Sequence, residues 1–260
     1  MKRLLFLLFV ASLAAPLAYA QAPAAPATQA AATPFPLPPQ PPDVPAQKFD
    51  PATGKPHVAF MTLHEKFIAT AKEGKAQLVF LGDSITAGWS GAGKDVWAKA
   101  FGSYEPANFG IGGDRTQHLL WRISNGELDG LKPKAVIIMI GTNNVSVDPA
   151  EGIAKGVTEV VKTVRAKLPD AKILLLAVFP RGDKPDGKLG EKHTKLKQVN
   201  AILAKLDDKK HIHFLDIGTK FTRGKDAVDK AIMPDFLHLS TDGYQIWADA
   251  ITPKLTELMK

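Results

Sequence analysis

Four short apolar runs, Gln77 to Leu81, Ala135 to Ile140, Ile173 to Val178 and Ile212 to Leu215, do most to limit what this chain can become. None alternates apolar with polar residues, so each, as a strand, must be covered on both faces. A weaker run near Tyr104 to Phe109 makes a fifth. Between them lie helical patterns, the clearest from Pro149 to Leu168, where Ile153, Val157, Val160, Val161 and Val164 form one stripe. Asp148, Pro149 and Glu151 stand where an N-cap, a first-turn proline and a capping-box acid would be, and a C-terminal helix is expected from Asp242 to Met259. Strand and helix in alternation predict an α/β fold with a parallel sheet between two helical layers. In such sheets chemistry gathers at the carboxyl ends of the strands.

The pattern starts only near residue 58. Residues 1 to 20 open with Lys2 and Arg3, continue through the apolar run Leu4 to Val10 and end in Ala18-Tyr19-Ala20, which reads as a secretory signal peptide. The run falls short of the roughly 20 residues that span a bilayer, so no membrane insertion is expected after cleavage. An exported chain, periplasmic or secreted, follows. Residues 21 to 57 are rich in Ala and Pro and read as an extended linker, leaving 58 to 260 as one domain. The formal charge of +7 falls to +5 when Lys2 and Arg3 leave, and it is spread over many lysines, so nucleic acid is not an expected partner. With no cysteine, the chain has neither disulfide nor thiol nucleophile.

The strand ends carry the reactive residues. Gly82-Asp83-Ser84-Ile85-Thr86 places a serine just past the first strand, where it would be a nucleophile if a base reached it. Thr86 stands where the G-x-S-x-G elbow needs glycine, so that elbow is absent. Asn108-Phe109-Gly110-Ile111-Gly112-Gly113-Asp114 is followed by Arg115, not the glycine of a dinucleotide fingerprint, so a nicotinamide cofactor is not expected. Its glycine turn is suited instead to presenting a backbone N–H to an oxyanion. Gly141-Thr142-Asn143-Asn144 ends the third strand with an amide that can donate to the same oxygen. Asp235-Phe236-Leu237-His238 supplies a base with a carboxylate three residues away.

These four blocks, GDSIT, NFGIGGD, GTNN and DFLH, resemble those of the SGNH (GDSL-type) hydrolases, and Asn108 to Asn144 is similar to the catalytic subunits of the platelet-activating factor acetylhydrolase type. The resemblance covers about residues 58 to 258. It implies a flavodoxin-like five-stranded sheet and a serine esterase with no metal or organic cofactor. It also implies Ser84 as nucleophile, His238 as base and Asp235 as its partner, with Ser84, Gly113 and Asn143 as oxyanion donors. Members of the platelet-activating factor type act inside cells, whereas an export signal is expected here. The expected substrate is a short-chain ester, an O-acetyl group on carbohydrate, with an acetylated lipid as the second reading and a non-catalytic carbohydrate-binding module as the third. A second copy of the chain is a further candidate partner.

Other residues enter as weaker candidates. Asp83, His118 and Arg181 are expected near the substrate, and Asp216 is a rival to Asp235. Trp89 and Trp121 either line an acyl pocket or pack. His211 and His213 share a strand face but lack an obvious third ligand, so a structural role is expected and no metal.

Overall fold

A computed structural model describes residues 39–183, 185–224 and 226–260. The expected signal peptide and residues 21–38 of the expected linker lie outside them. The chain runs α1 (Val58–Lys72), β1 (Leu78–Gly82), α2 (Ser84–Ala87), α3 (Lys94–Phe101), β2 (Pro106–Gly110), α4 (Thr116–Ser124), β3 (Ala135–Met139), α5 (Ala150–Lys167), β4 (Lys172–Leu176), α6 (Glu191–Leu203), β5 (Ile212–Leu215) and α7 (Thr241–Leu258). A two-residue hairpin, β6 (Thr222–Arg223) with β7 (Ala227–Val228), precedes α7.

The five long strands pair in parallel in the order β2-β1-β3-β4-β5, the flavodoxin-like order. The unalternating runs are explained by burial on both faces. Val79, Leu81, Val136, Ile138, Ile173 and Leu175 join one core with residues of α1, α4, α5 and α6, among them Phe67, Ile123, Val160 and Val199. Leu78, Phe80, Ile137, Met139, Leu174 and Leu176 point the other way, into a core with Trp89, Phe101, Tyr244, Trp247 and Ile251. The chain order reverses at β1, whose neighbours are β2 and β3, and Ser84 follows it directly. That reversal opens the crevice where such sheets place ligands.

Two expectations change. Helix α5 begins at Ala150 with Pro149 as its N-cap and no side-chain cap, because the Asp148 carboxylate instead accepts the Asn144 amide at 2.9 Å. The expected linker is not free along residues 39–57. Pro42 is buried there, its carbonyl accepts Thr116 Oγ1 at 2.8 Å, and Gln117 Nε2 donates to Gln40 O at 3.0 Å. Proline-rich composition removes backbone donors, but it leaves carbonyls that α4 can satisfy. The segment is a strap across α4 and α5. Among the described residues, no helix is long and apolar enough to cross a membrane.

Candidate active site

The turn after β1 is compressed. A Cβ on Gly82 would lie 2.1 Å from Thr86 Oγ1, and one on Gly110 would lie 2.2 Å from Ala87 N. Glycine at both positions lets α2 sit directly on the ends of β1 and β2, which presents Ser84 at the first position of the helix. Thr86 fills the space above Gly82, so this strand-to-helix turn differs in construction from a G-x-S-x-G elbow. Asp83 caps α2 through Oδ1, which accepts Ile85 N at 3.0 Å, and the Tyr244 hydroxyl donates to Ile85 O at 2.6 Å. Asp83 is fully buried, and burial pushes its carboxyl up to about 7 against the opposing Ile85 hydrogen bond.

His238 reaches this turn from the loop before α7. Its Nε2 lies 2.8 Å from Ser84 Oγ, and its Nδ1 lies 2.6 Å from Asp235 Oδ2. Asp235 Oδ1 also accepts the backbone N–H groups of His238 and Leu237, at 2.7 and 3.0 Å. Burial tends to raise the Asp235 carboxyl, but these hydrogen bonds outweigh it and hold the group below the usual carboxylate range. An ionised Asp235 can only accept, so the proton is on Nδ1 and Nε2 is free to take the one from Ser84. Between the two, Phe236 adopts a left-handed backbone at φ 62, and its carbonyl accepts Gly182 N at 2.9 Å.

The glycine loop after β2 lies beside the serine. A Cβ on Gly112 would stand 3.9 Å from Ser84 Cβ, and Gly113 has φ +71, a conformation that favours glycine. Asn143 Nδ2 donates to Asp114 O at 2.8 Å, which ties the turn after β3 to this loop. Beneath it, the fully buried Arg122 donates to Asp114 Oδ2 at 2.9 Å, to Glu127 Oε1, and to the carbonyls of Phe109 and Gly82 at 3.1 and 3.4 Å. Burial works against the Arg122 charge, yet Glu127 and Asp114 prevail and keep it firmly protonated. Burial also raises Asp114, to about 6, with Arg122 and Lys48 opposing.

A serine hydrogen-bonded to a histidine, itself held by a carboxylate, beside a loop of backbone donors, is equipped for acyl transfer. The profile of the GDSL-like lipase/acylhydrolase family matches residues 80–246. The chain belongs to that family. It is 36% identical over 201 residues to the human platelet-activating factor acetylhydrolase IB subunit alpha1, covering 77% of this chain and 84% of that one. It is also 36% identical over 185 residues to the rat alpha2 subunit, covering 71% and 78%. A GDSL-like lipase from Bacteroides thetaiotaomicron shares the fold at a TM-score of 0.63 and 20% identity, over 76% of this chain and 97% of that one. As a GDSL-type acylhydrolase, the protein is a carboxylic ester hydrolase.

The weaker candidates divide. Arg181 Nη1 donates to Thr142 O and Oγ1, both at 3.2 Å, which places it beside the Gly141–Asn144 turn; the fields of Asp83 and Asp235 both reach it. His118 is not free for substrate: Nδ1 accepts Arg115 N at 3.2 Å and Nε2 lies 3.3 Å from Gln40 Oε1. Burial drives its pKa down to about 3, so it is neutral. Asp216 does not reach the base; its Oδ1 accepts Gly218 N at 2.8 Å. Trp89 is core, packed at tilted angles among Trp97, Tyr244 and Trp247, and Trp121 packs on Phe60 and His64. His213 is buried in β5, and among the described residues no three His, Cys, Asp or Glu side chains come together as a metal site requires.

Arg122 and Lys48 adjoin the site without having stood among the sequence candidates. Arg122 had a signal: it lies between Leu119 and Ile123 on a helix whose apolar residues face the core, a place that demands carboxylate partners. Lys48, in a Pro- and Ala-rich tract, had none.

Proposed function

We propose that the enzyme hydrolyses short acyl esters, O-acetyl groups on carbohydrate above all, with Ser84 as nucleophile. The chain of contacts from Asp235 through His238 to Ser84 carries this reading. His238 Nε2 takes the hydroxyl proton as Ser84 Oγ attacks the ester carbonyl. Asp235 holds the imidazole in the right tautomer and stabilises the imidazolium that forms. The N–H groups of Ser84 and Gly113 and the Asn143 amide would receive the oxyanion, and His238 would return the proton to the departing alcohol. Water, deprotonated in turn by His238, then releases the acyl group from Ser84. Arg181 borders the site as a contact for polar substrate groups.

An open rim supports the short-acyl, polymer-borne substrate. The His238 and Asp235 side chains are 44% and 57% exposed, so a bulky alcohol can approach from solvent, and a long acyl chain lying along so exposed a rim would stay largely in water and gain little from burial. The expected export leader fits a substrate outside the cytoplasm. Relatives named as platelet-activating factor acetylhydrolase subunits favour the second reading, an acetylated glycerophospholipid.

The test is the purified chain and its Ser84→Ala variant, assayed on acetylated xylan, an acetylated amino sugar, acetyl-glycerophospholipid, and p-nitrophenyl acetate and palmitate. Acetyl turnover on a carbohydrate, lost by at least about 10²-fold in Ser84→Ala, is the expected outcome. Preference for the phospholipid would replace the carbohydrate reading, and an active Ser84→Ala enzyme would overturn the triad.

A further inference from the structure

The strap formed by residues 39–57 lies outside the segment matched by the family profile, yet it reaches the glycine loop. Lys48 Nζ donates to Gly112 O at 2.6 Å and lies 3.5 Å from Asp114 Oδ1; the Lys48 side chain is only 17% exposed. A Cβ on Gly113 would stand 3.1 Å from the same Nζ, so the ammonium lies directly against the loop. Arg122 holds Asp114 Oδ2, whereas Oδ1 is buried without a hydrogen-bond partner, and the Lys48 ammonium is the cation that faces this second oxygen.

The Gly112 carbonyl and the Gly113 N–H belong to one planar peptide group and point in opposite directions. Neither flanking residue has a side chain to resist rotation of that plane, and Gly113 already occupies the left-handed region. Turned over, the plane would aim a carbonyl, not an N–H, at the developing oxyanion. A cation fastened to the carbonyl opposes that turn and polarises the peptide so that its N–H donates more strongly.

We propose that Lys48, delivered by the strap, is a positioning residue of the oxyanion hole: it locks the Gly112–Gly113 peptide with its N–H toward the substrate carbonyl. The proposal rests on the reading that Gly113 donates to the oxyanion. Lys48 does not touch substrate and acts through the peptide alone. The strap is held independently at Asp43, whose carboxylate pairs with Lys155 Nζ at 2.6 Å, and at Ala46, whose N–H donates to Gln117 O at 3.1 Å.

Lys48→Met, Lys48→Gln and Asp43→Asn in the full chain, assayed on p-nitrophenyl acetate with Tm measured alongside, test this. Lys48→Met should lower kcat about tenfold, less than the roughly 10²-fold or more that follows removal of a donor outright, with KM within twofold. Lys48→Gln keeps a donor but not the charge and should fall between Lys48→Met and wild type. Asp43→Asn loosens the strap away from the loop and should retain kcat within twofold. Wild-type kcat in Lys48→Met, or an equal kcat loss in Asp43→Asn, would overturn the proposal. With Ser84→Ala inactive, wild-type turnover in Lys48→Met removes Lys48 and leaves the triad standing. An active Ser84→Ala enzyme removes the triad whatever Lys48 does.

Discussion

Ser84 stands on a turn whose supports are buried: Asp83, Ile85 and Tyr244 around α2, with Arg122 beneath the adjoining loop. His238 and Asp235, which complete the site, are 44% and 57% exposed and are held mainly by hydrogen bonds within four consecutive residues. The position of Ser84 is therefore a property of the whole sheet, whereas the orientation of His238 is a property of one loop. Substitutions on the buried side should disturb stability together with rate. Those on the exposed side should disturb rate alone.

His238→Gln probes the exposed side at its strongest, with an expected kcat loss of about 10⁴-fold or more and a nearly unchanged Tm. A large drop in Tm would erase the distinction between the two sides. Asn143→Ala should lower kcat by about 10²- to 10³-fold with KM within a few-fold, because the oxygen it would contact gains charge only in the transition state. Unlike His238→Gln it should also lower Tm, since Asn143 Nδ2 holds the Asp114 carbonyl at 2.8 Å. Reduced Tm with near-normal kcat would make Asn143 a brace and nothing more.

Asp83→Asn sharpens the comparison through pH. The folded carboxyl titrates near 7, above its ordinary unfolded value, so folding favours the protonated form. Wild-type stability should decline as pH rises from the ordinary carboxylate range toward about 7, the full penalty being present above that. The amide cannot ionise, so Asp83→Asn should flatten this slope and raise Tm relative to wild type at pH 8. A Tm difference independent of pH would show that Asp83 does not titrate in this window.

Legibility in the sequence follows the same division. The strand runs were readable because burial on both faces leaves no polar alternation, and their boundaries shift by only a few residues in the structure. Asp235 and His238 were readable because their partnership is local. The capping of α5 was misread because Asp148 has a competing partner in Asn144, which adjacency alone does not reveal. Lys48 was invisible for a different reason: its partners, Gly112 and Asp114, are more than sixty positions away. His118 looked available because it follows the glycine loop, but it faces Gln40 and Phe60, neither of which its own neighbourhood predicts.

The Ser84–His238 contact joins residues 154 positions apart, and α7 begins three residues beyond the histidine. During synthesis Ser84, the glycine loop and the Asn143 turn all emerge long before His238. Closing so wide a gap is among the slow events of folding, since the chain must be ordered before the contact rewards it. On the proposed mechanism, a nascent or truncated chain ending before the Asp235–His238 loop would hold an unactivated hydroxyl, and hydrolytic competence would arrive only with the last tenth of the polypeptide.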